Sequence, residues 1–157
     1  ETFTIKGYSP SKKRWIMIYH AGLGLAGYYV LSGEAPDVVE IRLRPAATFV
    51  GRVVDANGQP IGLASINGSV AEPGVDGLSH DGVGAIPRNV EGGSIQTDEE
   101  GRFKLRGVIP GLKYTATAGF PTAPNGRIVI FTGAIAEPGE TKDLGDLVPI
   151  PLKLDTK

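Results

Sequence analysis

The sequence predicts an all-β protein built as an antiparallel β-sandwich, and three observations support this. No stretch of a dozen residues keeps apolar side chains at helical spacing without an interrupting glycine or proline. Short runs of alternating apolar and polar residues recur along the whole chain. The 157 residues include 23 glycines and 12 prolines, which supply the turns between many short strands. Strands at this spacing with frequent turns are typical of a sandwich.

The first third of the chain contains four predicted strands, at 2–6, 14–20, 27–32 and 38–44. Strand 14–20 is apolar on both faces. One face carries Trp15, Met17 and Tyr19, and the other carries Ile16 and Ile18. A strand of this kind lies centrally in a sandwich or is covered by a neighbouring element.

Pro45 marks a boundary after which a second series of strands begins. These predicted strands are 48–55, 63–70, 94–97, 102–106, 113–120, 127–133 and 141–148. Asn57-Gly58 predicts a tight turn after the first of them. The run 98–101 predicts a hairpin between the third and the fourth. Residues 71–93 form a glycine-rich stretch without periodicity, and loops of that length are usually functional or mobile.

Residues 1–45 return in loose form at 101–152. The pattern F-x-I-x-G at 3–7 becomes F-x-L-x-G at 103–107, and Trp15 falls close to the place of Tyr114. Self-similarity of this kind indicates a tandem array. We therefore expect 1–45 to be the C-terminal part of a preceding repeat, 46–157 to be a complete module, and the chain to be a piece of a longer protein.

Residues 47–119 resemble the carboxypeptidase regulatory-like domain, a transthyretin-like (prealbumin-like) β-sandwich. The matching segments are GRVVDANGQPIGLASI at 51–66 and TDEEGRFKLRGVIPGLKYTATA at 97–118. The resemblance implies a Greek-key sandwich. We expect Phe103 and Leu105 to face its core and Tyr114 to close one end of that core.

Composition and motifs argue against most chemistries. Sixteen basic and seventeen acidic residues give a net charge of −1, so no cationic surface for nucleic acid is expected. There is no cysteine, and no apolar run is long enough to insert into a membrane. The transthyretin-like hydrolases that act on hydroxyisourate use several histidines, whereas this chain has only His20 and His80. We expect no enzyme activity, no catalytic residue and no cofactor.

Three groups of residues remain as candidates for an interaction surface. The apolar side chains of Ile16 and Ile18 are expected to be exposed unless another chain or the second unit packs over them. Adjacent tyrosines in a strand point to opposite faces, so one of the two rings in the pair 28–29 is expected to be exposed. The loop 71–93 contains a weak metal candidate, although we expect no bound metal. Together these residues are Ile16, Ile18, Tyr28, Tyr29, Asp76, His80 and Asp81.

The expected function is that of a non-catalytic module in a larger bacterial protein, acting as a spacer and a protein-interaction unit. Its expected location is extracellular, periplasmic or at the cell surface. Expected partners are other protein domains or a second copy, with a glycan as a further candidate. Two alternatives stay open: a carbohydrate-binding module that uses exposed tyrosines, and an accessory domain of an attached peptidase.

Overall fold

The computed structural model describes residues 4, 9–34, 38–70, 95–120 and 123–151, with side chains for all of these except 123–127 and 151. The predicted strand 2–6, apart from residue 4, and the whole of the stretch 71–93 lie outside the described residues. The described elements are eleven strands and one 3-10 helix, Ala21–Leu23. The strands are β1 (Arg14–His20), β2 (Leu25–Leu31), β3 (Arg44–Pro45), β4 (Ala47–Val53), β5 (Ser65–Val70), β6 (Ile95–Gln96), β7 (Arg102–Val108), β8 (Tyr114–Phe120), β9 (Ala123–Ala134), β10 (Thr141–Leu147) and β11 (Ile150–Pro151).

The strands form three sheets, with the orders β1-β2-β3, β10-β4-β7 and β11-β9-β8-β5-β6. The second and third sheets enclose the main core, which confirms the predicted all-β sandwich. Their strands pair antiparallel with one exception, since β10 runs parallel to β4. The chain crosses from β9 in one sheet to β10 in the other, and such a crossover does not require the antiparallel direction that a hairpin imposes.

The core is filled by alternate residues of the facing strands. Phe103 and Leu105 are buried and Lys104 is exposed, as the alternation predicts. Phe49 packs edge-to-face against Tyr114 and Phe131, with ring centroids 5.6 and 5.8 Å apart. The side chains with the least exposure are Tyr114, Phe49, Leu105, Leu112, Val53, Val70 and Val108. The sandwich is therefore held by one aromatic and aliphatic cluster.

Two predicted strand boundaries are wrong. Residues 38–43 form no strand, and β3 includes only Arg44–Pro45. The alternation of apolar and polar residues nevertheless has a structural cause, because every second side chain is half-buried and its neighbours are exposed; the half-buried residues are Val39, Ile41 and Leu43. The pattern therefore results from contact along one side of the segment and not from backbone pairing. The strand predicted from 63 begins instead at Ser65, because Leu63 has a φ of 57°, which extended backbone does not allow.

The hairpin formed by β1 and β2 packs against the sandwich. Ala26 of β2 is 1% exposed and belongs to the same core cluster as Phe49, while Trp15, Met17 and Tyr19 pack against that cluster from the side. The hairpin and the sandwich thus share one continuous apolar core.

No helix among the described residues is long and apolar enough to cross a membrane.

Residues 44–46, here called the junction, connect the hairpin to the sandwich through backbone hydrogen bonds on both sides. Arg44–Pro45 pairs antiparallel with Leu25 and Ala26 of β2. The Ala46 N–H donates to the carbonyl of Gly24 at 2.7 Å, and the Gly139 N–H donates to the carbonyl of Pro45 at 3.0 Å. The junction is therefore an ordered part of the fold.

Candidate interaction surfaces

Ile16 and Ile18 lie on the face of β1 that points away from the core cluster. Their cross-strand partners are Tyr29 and Gly27, so Tyr29 shares this face. All three large side chains are half-buried. A Cβ atom at Gly27 would stand 2.9 Å from Cδ2 of Leu43, which places Leu43 over the same face. The segment before the junction thus covers part of the apolar face that the sequence left open.

Tyr28 lies on the opposite face of the hairpin, directly across from Met17. Its ring stacks on Trp15 with centroids 5.4 Å apart and an interplanar angle of 19°. Tyr28 is 38% exposed. The Nε1–H group of Trp15 is buried and has no hydrogen-bond partner among the described residues, although buried donors are usually paired. Tyr28 and Tyr29 therefore belong to two separate surfaces, one aromatic and one aliphatic.

The loop candidates Asp76, His80 and Asp81 lie outside the described residues. Within the described part of the chain, no group of three or more His, Asp or Glu side chains is placed to hold a metal ion. The other histidine, His20, has a local structural role, because its Nδ1 accepts a hydrogen bond from the Leu23 N–H at 3.2 Å and caps the 3-10 helix.

Among the titratable groups of the described residues, Tyr114 has the most strongly shifted pKa, and the cause is structural. Burial raises its pKa from 10.0 to about 12, and a hydrogen bond with the Ile109 backbone acts in the opposite direction. The Ile109 N–H donates to the Tyr114 hydroxyl at 2.8 Å. The hydroxyl thus fixes the turn before β8 and closes the core, which is the role predicted for this ring.

The sequence did not show a charge pattern on the sheet β10-β4-β7. Along β7 the exposed side chains are Arg102, Lys104 and Arg106, here called the basic edge. Along β10 the exposed acidic side chains are Asp143 and Asp146, here called the acidic edge. The basic set is visible in the sequence as R-x-K-x-R, but only the pairing of β4 with both strands shows that the basic and acidic sets form opposite edges of one sheet.

The basic and acidic edges lie in matched rows across the sheet. One row joins Asp143, Val50 and Lys104, and the next joins Asp146, Arg52 and Arg102. Asp143 and Asp146 occupy successive rows because β10 carries a bulge between them. Within the second row, Arg52 Nη1 lies 3.5 Å from Asp146 Oδ2.

An open groove of about 380 Å³ runs beside the first half of β7, between the edges of the two sheets. Its lining residues are Ile95, Gln96, Asp98, Arg102, Phe103 and Lys104. Strands β6 and β7 are each the last strand of their sheet among the described residues. The groove therefore lies where the described edges of the two sheets meet.

Comparisons with known proteins give only distant similarities. No protein-family model matches the chain, and no curated protein matches it. Two solved structures of mutants of the shaft pilin SpaA from Lactobacillus rhamnosus GG are 12% and 14% identical, with TM-scores of 0.41 and 0.38. These matches cover 85% and 83% of this chain and 61% and 57% of the pilin chains.

A minor pilin from Streptococcus agalactiae is 14% identical with a TM-score of 0.35, over 85% of this chain and 63% of that one. The chain thus spans about three fifths of the solved structures that it matches. At TM-scores below 0.5, these similarities support no argument about function.

Proposed function

We propose that this chain is a non-catalytic β-sandwich module of a larger bacterial cell-envelope or secreted protein, and that it acts as a spacer and a protein-interaction unit. The observation that carries the spacer role is the junction. It is hydrogen-bonded to the hairpin on one side and to the sandwich on the other, so it can hold what precedes the sandwich at a fixed angle.

Three features would stiffen the junction. Pro45 restricts its own φ angle and the conformation of Arg44. The Pro45 ring also lies near Gly139, where an added Cβ would stand 3.5 Å from the Pro45 Cβ. Ala26 anchors the hairpin in the core with 1% exposure. Flexible linkers lack such contacts, so this geometry favours a spacer of defined orientation.

The interaction role is supported by the position of β7, which is the last strand of its sheet among the described residues, since the edge strand of a sheet can pair with a partner. The proposed envelope or secreted location rests on the resemblance of residues 47–119 to carboxypeptidase regulatory-like domains. No described residue favours the accessory peptidase role over the spacer role.

Backbone ¹⁵N relaxation tests the spacer role. We expect residues 14–31, 47–70 and 95–120 to share one rotational correlation time. Ala26→Arg places a charge in the shared core and should release the hairpin, so that its residues tumble faster than the sandwich. Ala21→Arg, at an exposed position of the same hairpin, is the matched control. Independent tumbling of the hairpin in the unmodified chain would contradict the proposal.

Carbohydrate binding is the second candidate, and the stacked pair Trp15–Tyr28 favours it. Tyr28 presents an exposed ring that its neighbour holds in place, as sugar-binding aromatics require. Binding on a glycan array that is lost in Tyr28→Ala and kept in Tyr29→Ala would support this role. Absence of any glycan binding, or equal loss in both variants, would argue against it.

A further inference from the structure

We propose that this chain assembles head-to-tail with further copies of itself, the basic edge of β7 in one copy pairing with the acidic edge of β10 in the next. The inference deepens the proposed interaction role by naming its surface and its partner, and it rests on that role. Four observations support it: strand direction, row register, charge and access.

Strand direction permits the pairing. Strand β4 is antiparallel to β7 and parallel to β10, so β7 and β10 run in opposite directions. A copy shifted sideways along the sheet therefore brings its β10 antiparallel to β7 of the first copy. Antiparallel ladders are the slightly more stable kind.

The row register places opposite charges together. Because Lys104 and Asp143 occupy one row, a sideways shift puts Lys104 beside Asp143 of the next copy. The same shift brings Asp146 of that copy towards the Arg102 side chain. This second contact is between side chains alone, because the backbone N–H and carbonyl of Arg102 are both bonded to Asp98. Neighbouring rows are about 7 Å apart, the length of two strand residues, and both pairs keep this spacing.

Charges on edge strands commonly prevent aggregation, and this is the competing explanation. Like charges do oppose the pairing of β7 with β7 and of β10 with β10. The opposite charges of the two edges favour the pairing of β7 with β10, however. The pattern therefore selects one arrangement of copies and disfavours the others.

Access supports Lys104 as the backbone contact. The Arg102 end of the edge is closed by the turn, because the Asp98 N–H donates to the Arg102 carbonyl at 2.9 Å and the Arg102 N–H donates to Asp98 Oδ1 at 2.7 Å. The open groove borders Lys104, beyond this turn. Strand β2 of the hairpin also contacts β7. An interface that uses different surfaces on its two sides forms an open row of copies unless its rotation closes a ring.

The test is the weight-average mass of the chain by light scattering over a dilution series up to about 1 mM, a range suited to contacts this small. We expect the mass to rise with concentration. Lys104→Glu and Asp143→Lys should each weaken self-association at least about tenfold, by placing like charges in one row. Raising NaCl to about 1 M should weaken the association of the unmodified chain, because the Debye length falls to about 3 Å.

Mixing the two variants is the decisive step. In an equimolar mixture the introduced glutamate can face the introduced lysine, so self-association should return. Lys12→Glu and Glu40→Lys change the same charges away from the sheet edges and serve as controls that keep normal association. Circular dichroism of each variant checks that the fold is retained.

A chain that stays monomeric throughout would overturn the inference, as would association that survives both edge variants or fails to return on mixing. None of these results touches the junction, so the spacer role would stand on its own relaxation test.

Discussion

Among the described turns of the sandwich, Gly101 is the glycine whose replacement by alanine should be the most destabilising. Gly101 ends the turn between β6 and β7 with a φ of +75°, a conformation that alanine adopts at a cost of about 1–2 kcal/mol. A Cβ atom there would also collide with the carbonyl oxygen of Val53 and stand 3.1 Å from the Ile61 nitrogen. That nitrogen donates to the same Val53 carbonyl at 2.9 Å.

The magnitude follows from adding these two effects. Displacing the Val53 carbonyl breaks its hydrogen bond with Ile61 and leaves polar backbone groups unsatisfied, at a further cost of about 1–3 kcal/mol. The sum for Gly101→Ala is roughly 2–5 kcal/mol. Gly58 is the matched control, because its φ is +77° and an added Cβ would have no atom within 4 Å. Gly58→Ala should therefore show the conformational cost alone, about 1–2 kcal/mol.

The assay is equilibrium urea unfolding, with the free energy of unfolding compared between the two variants and the unmodified chain. We expect Gly101→Ala to be clearly the less stable of the two variants, with an unchanged m-value. If both variants lower the free energy of unfolding by the same amount, Gly101 does not pack closely against Val53 and Ile61 in solution.

Two further predictions concern buried hydroxyls. Tyr114→Phe leaves the Ile109 N–H without its acceptor and should lower the free energy of unfolding by about 1–3 kcal/mol near pH 7. Between pH 10 and 12 an unfolded tyrosine ionises while the buried Tyr114 does not, so the free energy of unfolding of the unmodified chain should fall by roughly 3 kcal/mol. The variant should not show this loss, and equal pH dependence of the two chains would refute the prediction. Thr97→Val removes the acceptor of the Ala64 N–H and the donor to the Ile61 carbonyl, both at 2.9 Å. It should cost about 2–4 kcal/mol in thermal or urea unfolding, whereas a loss below about 0.5 kcal/mol would show that these bonds are not formed.

Local features of the sandwich could be predicted from the sequence because they depend on neighbouring residues. The run 97–106 predicts a turn and a hairpin, and only the turn forms. The strands on either side of it pair in different sheets, β6 with β5 and β7 with β4. Asp98 accepts the Arg102 N–H at 2.7 Å through Oδ1, Gly101 supplies the positive φ, and Phe103 turns into the core. Period-two alternation was sufficient to assign the faces of β7.

Long-range features could not be predicted in the same way. The parallel pairing of β10 with β4 depends on a crossover between sheets, and no local pattern encodes it. The alternation in 38–44 was assigned to a strand because contact along one side produces the same pattern as pairing. The cover that Leu43 gives to the Ile18 face, and the burial of Ala26 in the sandwich core, likewise appear only once the chain is folded.

For the candidate interaction surfaces too, local sequence patterns predicted some features and missed others. Tyr28 and Tyr29 could be assigned to opposite faces from their adjacency alone. The basic edge was visible as R-x-K-x-R at 102–106, but its acidic counterpart was not, because a bulge at Gly145 brings Asp143 and Asp146 onto one face. A tandem repeat and the division into 1–45 and 46–157 remain predictions from the sequence.

The central claim, that the hairpin is held at a fixed angle to the sandwich, is tested most directly by a distance distribution between two spin labels. The chain has no cysteine, so labels can be placed singly at Leu23→Cys in the hairpin and Asn57→Cys in the sandwich, both at exposed positions. Pulsed electron paramagnetic resonance should give one narrow distance peak. A broad distribution, or several peaks of similar weight, would contradict the account.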